Sequence, residues 1–90
     1  MPQAIADPDE LERFAKSLRQ FDSDLTQRMS QLKSQFAQLE QTWRDQEHAR
    51  FAQEFQQTMA VLERFIRDAE SHIPVLTKKA SILRDYLNRG

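Results

Sequence analysis

The chain has 90 residues, 39% of them hydrophobic and 30% charged, with one glycine, three prolines and no cysteine. That length allows one small domain, and the scarcity of Gly and Pro favours long helices over sheets, whose turns need those residues. A net charge of −1, with acids and bases mixed along the chain, excludes the basic face of a nucleic-acid binder, and the lack of cysteine excludes disulfides and thiol chemistry.

Met1 to Ala6 carries no periodic pattern and reads as a frayed tail, without the basic and apolar regions of a signal peptide. No apolar run anywhere approaches the roughly 20 residues that span a bilayer. Asp7-Pro8-Asp9-Glu10 is a helix start. Asp7 can cap the free backbone N–H groups, Pro8 suits the first helical position, and Asp9 and Glu10 favour the positive end of the helix dipole.

From there the apolar positions recur in threes and fours and predict a helix over about residues 8–43. Leu11, Leu18, Leu25, Leu32 and Leu39 repeat every seven residues. A second row, Phe14 and Phe21, then Met29, Phe36 and Trp43, slips by one residue between Phe21 and Met29. Such a slip rotates and widens the stripe, as in a helix that touches more than one neighbour.

The chain is expected to reverse at about residues 44–47, with Asp45 as the N-cap of a second helix over about residues 48–88. That helix has its own stripe, from Phe51, Phe55, Met59, Leu62 and Ile66 to Leu83 and Leu87. Pro74 interrupts the stripe without shifting its phase, which predicts a kink in one helix, with a break into two as the alternative. Asn88-Arg89-Gly90 reads as a fraying end.

The fold class is therefore all-α, a two-helix antiparallel hairpin in one domain spanning residues 1–90. Two rods of some 35–40 residues, roughly 55 Å long, have little interior between them. Wide stripes on such rods need a further partner, which argues for a dimer that closes a four-helix bundle. The expected hairpin and dimer core is Leu18, Leu25, Leu32, Phe36, Leu39, Phe51, Phe55, Met59, Leu62 and Ile66.

Catalytic and metal chemistry find no footing. His48 and His72 are the only histidines. Neither has a Glu three residues before it, so the Glu-x-x-His pairs of bundle metal sites are missing. Both read as exposed or capping residues. Ser and Thr are scattered over polar faces with no base beside them. No enzyme activity, metal or other cofactor is expected, and the mixed-sign polar faces favour a partner helix over a membrane surface.

A Trp at the reversal of a helical hairpin of this length resembles the WXG family, the ESAT-like substrates of type VII (ESX) secretion. The resemblance covers nearly the whole chain, including Phe51-Ala52-Gln53-Glu54-Phe55 after the turn. It implies that Trp43, Arg44 and Asp45 form a recognition surface. The family's Trp-X-Gly turn here is Trp43-Arg44-Asp45, and Asp tolerates turn conformations with positive φ better than most residues but less well than Gly. The family's Tyr-x-x-x-Asp/Glu export signal is degenerate, since Tyr86 is followed four residues later by Gly90.

The implied partners are a second copy, a related hairpin chain, a larger exported protein or a secretion ATPase. The implied location is cytoplasmic, with export by a route independent of a signal peptide. A cytoplasmic coiled-coil adaptor or structural subunit unrelated to secretion is the competing reading.

Overall fold

The computed structural model describes residues 6–89, so the expectations for the first five residues and for Gly90 lie outside it. Two helices, α1 (Pro8–Leu39) and α2 (Gln46–Asn88), pack antiparallel along their length. The hairpin is 68 Å long and 17 Å across, with a radius of gyration of 20.3 Å. A compact domain of this size would have about 12 Å. This is a rod with one seam in place of a central core.

Asp7 starts α1 as expected of a helix cap: its carboxylate accepts from the Asp9 amide at 2.9 Å, and Pro8 opens the helix. α1 ends at Leu39, four residues before the point that the apolar period suggests. The Leu39 carbonyl accepts from the amides of Thr42 (3.1 Å) and Trp43 (3.0 Å), which tightens the last turn and folds Trp43 back over the hairpin end. α2 runs unbroken through Pro74.

The seam is built from heptad rows, and it corrects the expected slip in α1. Pro8, Ala15, Asp22 and Met29 are all buried, at intervals of seven, and Phe36 and Trp43 continue the row half-buried. Phe14 and Phe21 sit one position aside, 59% and 52% exposed. The row never slips. Small and polar residues occupy its first half, and the phenylalanines beside them mark the flank. On α2 the matching row is Met59, Ile66, Ile73 and Ala80, with Ala69 buried beside it.

Met29, Met59 and Ile66 form the centre of the seam, with Leu25, Phe55 and Leu62 packed against them. Of the expected core residues, Leu18 and Phe36 are half-buried. Leu32 (45%), Leu39 (47%) and Phe51 (44%) are exposed on the single hairpin, because two helices cannot cover stripes this wide.

Two polar clasps flank the seam. Lys33 donates to Glu63 at 2.6 Å, and the ammonium holds that carboxyl below the usual carboxylate range. Both side chains are exposed, so the pair adds little stability. At the open end Arg84 donates to Glu12 and, at 2.5 Å, to Asp9. These bonds keep its guanidinium more firmly charged than usual.

Candidate functional site

Helix geometry gives the hairpin two unlike long faces. Residues three and four apart share a side of a helix, so the flank of α1 that carries Phe14, Leu18, Phe21 and Leu25 is apolar. The opposite flank carries Arg19, Ser23, Thr26 and Ser30. The helices are oriented so that the apolar flank of α1 meets the apolar flank of α2. Phe14 and Leu18 line an open groove of about 510 Å³ with Phe65, Ala69, Val75 and Leu76, and only Asp68 and His72 bring polar groups to it. Phe21 meets Phe65 edge-on with ring centroids 6.0 Å apart.

The second feature is the closed end. Phe36 on α1 stacks on Phe55 (4.7 Å) and on Phe51 (5.5 Å) of α2, and Trp43 leans on Phe51 at 5.4 Å. Parallel offset rings at these separations contribute beyond the area they bury. His48 lies against both Trp43 and Phe36 and pairs through Nε2 with Glu40 at 2.8 Å, joining the end of α1 to the start of α2. His48 is thus part of an aromatic plug, whereas the sequence alone suggests an exposed or capping residue. The signal for it was its spacing three before Phe51 on the stripe.

Asp45 ties the plug to the helix start. Its Oδ1 accepts the Trp43 indole N–H at 2.9 Å and the His48 amide at 3.1 Å. The backbone at Asp45 is extended (φ −85°, ψ −177°), and no described residue has positive φ. The turn therefore needs no glycine-like conformation at Asp45, which caps α2. This reversal uses ordinary backbone, and the carboxylate supplies a cap and an indole acceptor that Gly lacks. Asp45→Ala is expected to cost about 1–2 kcal/mol from the lost cap and side-chain bond. Thermal melts followed by circular dichroism, with the indole N–H resonance as a local probe, check it; an unchanged melt and resonance would contradict it.

Arg44 is exposed beside the plug, and Tyr86 is 68% exposed near the far end of α2, so the structure does not bring the turn residues and Tyr86 together. Among the described residues no His, Asp and Glu side chains gather as a metal site, and no helix is long and apolar enough to cross a membrane.

The described residues thus form an elongated hairpin with one apolar long face, one polar long face and an aromatic plug at the turn. The model of the WXG100 family, proteins of 100 residues with WXG, matches residues 3–86, and the chain belongs to that family. No curated protein matches the sequence.

Among solved structures, wild-type EsxB, a secreted protein of Bacillus anthracis, superposes with a TM-score of 0.81 at 25% identity, covering 94% of this chain and 91% of that one. A point variant of the same protein gives 0.78 at 25% identity, covering 93% and 97%. The chain is thus an ESAT-like helical hairpin of the type VII secretion class, in which Asp45 stands where the family's signature has Gly.

Proposed function

We propose that this chain works by pairing and not by catalysis. Its apolar face packs on a second helical hairpin, a copy of itself or a related chain, to close a four-helix bundle that serves as a type VII secretion substrate or as the partner of a larger exported protein. The observation that carries this reading is the apolar groove between the helices, with Phe14, Phe21, Leu32, Leu39 and Phe65 exposed along the hairpin. An unpaired apolar strip of that length is costly in water, and a partner with the same face removes it.

In this reading Trp43, Arg44 and Asp45 present the closed end to the export machinery or its ATPase, and Tyr86 stands at the position of the export signal. The protein is made in the cytoplasm and leaves it by the type VII route. The test is its appearance in the culture supernatant, free of cytoplasmic markers, in cells with and without a functional type VII ATPase. Export that depends on the ATPase and falls severalfold with Arg44→Ala, at unchanged thermal stability, is the expected result. Retention in the cells under both conditions would favour the adaptor reading.

A further inference from the structure

Asp22 is 3% exposed, and neither of its carboxyl oxygens has a hydrogen-bond partner. A buried polar group in that state weakens the packing around it. It lines a groove of about 700 Å³ together with Glu70, Ile73 and Pro74. Pro74 has no N–H, so the Glu70 carbonyl four residues earlier receives no helical hydrogen bond. Two independent defects, one on each helix, thus lie at the same height of the hairpin.

Side-chain hydroxyls back-bond around that height, as Thr58 also does to the Glu54 carbonyl nearer the turn. Thr26 donates to the Asp22 carbonyl, Ser71 to that of Asp68 and Thr77 to that of Pro74. Back-bonding of this kind loosens and bends helices.

The two sides of this level are unequal. Toward the turn the helices are held by Met29, Met59, Ile66 and the stacked rings of Phe36, Phe51 and Phe55. Toward the open end the buried seam is Pro8, Ala15, Ile73 and Ala80. Leu11, Leu18, Leu76 and Leu83 are half-buried around it, with the half-buried Arg84 clasp at its end. Alanine and proline bury less apolar area than Met29 and Met59, so the seam row itself holds this arm more weakly.

We propose that the level of Asp22 and Pro74 is a joint. The arm formed by residues 8–22 and 74–88 opens there as one unit while the turn end stays closed. Phe14 and Leu18 from one side of the arm, and Val75 and Leu76 from the other, line the apolar groove, so a partner seated there holds the arm shut. That coupling rests on the pairing reading; the joint itself rests on the hairpin alone.

Native-state hydrogen exchange of the full chain, read by peptide, tests the joint. Repeating it over a concentration series separates the joint from pairing, because pairing slows exchange of the arm as concentration rises and the joint is read at the dilute limit. Amides of both arm segments are expected to exchange with a common opening free energy below that of residues 29–36 and 55–66. Asp22→Leu, which continues the apolar row, is expected to slow exchange in both segments by about tenfold or more, since an unsatisfied buried group costs on the order of one decade in equilibrium constant.

Pro74→Ala, which restores the missing donor, is expected to act in the same direction on both segments. It decides the matter if the Asp22 variant does not fold. Exchange that rises gradually toward the chain ends, or a substitution that slows only its own helix, would overturn the joint.

Discussion

Trp43→Ala is expected to lower the stability of the hairpin by about 2–4 kcal/mol, below the largest aromatic truncations because the ring is half-buried. The indole touches His48 and Phe51 and donates to Asp45, so its loss loosens the cap of α2 and the end of the aromatic stack together. For a chain of this size each kcal/mol shifts the melting midpoint by roughly 4–8 °C, so a fall of at least about 10 °C is expected. Trp43→Phe keeps a ring and loses only the hydrogen bond, which is worth about 1 kcal/mol. If Trp43→Ala melts within a few degrees of the parent chain, the ring serves as an exposed recognition group and not as the plug described here.

If the hairpins pair as proposed, Leu32→Asp is expected to separate them while leaving each one folded. Leu32 is 45% exposed on the single hairpin, so a carboxylate there meets water and costs little while the chain is alone. In a two-fold bundle the same change appears twice and places two unpaired charges in an apolar interface. Leaving charges buried without partners costs several kcal/mol, which corresponds to a weakening of at least about a hundredfold in dissociation constant. Leu62→Asp makes a useful contrast, because Leu62 packs against the seam and its loss strikes the hairpin as well. Sedimentation of the two variants separates the effects: the first is expected to give helical monomers, the second monomers of reduced helicity. A Leu32→Asp protein that sediments like its parent would place the interface elsewhere.

The hairpin was legible because leucines recur every seven residues from Leu11 to Leu39, and because Asp7 and Asp45 stand where helices must begin. The seam within it was less so. Phe14 and Phe21 draw attention as the largest apolar groups, yet the residues buried beside them are Ala15 and Asp22, one position along. Counting back in sevens from Met29 finds Asp22, Ala15 and Pro8 directly. A buried aspartate contradicts ordinary patterning, which is why the sequence alone suggests a slipped row.

At the turn, Asp45 is recognisable as a cap from its place before the stripe. Its bond to the Trp43 indole is not, since it depends on the backbone path that the tightened turn after Leu39 imposes. The same tightening explains why α1 stops before Trp43 although the apolar period runs on to it. The resemblance to the WXG family rested on Trp43 and the segment from Phe51 to Phe55, the residues that meet in the plug.

The central claim is that the apolar long face is an interface. Its most direct test is the solution mass of the purified chain by light scattering over a concentration series, with helicity measured on the same samples. Pairing with a copy predicts helical particles of twice the 10.7 kDa chain mass, dissociating only on dilution. Pairing with a related chain predicts a weakly helical monomer that gains helix and mass when that chain is added. A fully helical, cooperatively melting monomer at every concentration would contradict the account, because the strip from Phe14 to Leu39 would then be stable in water without a partner.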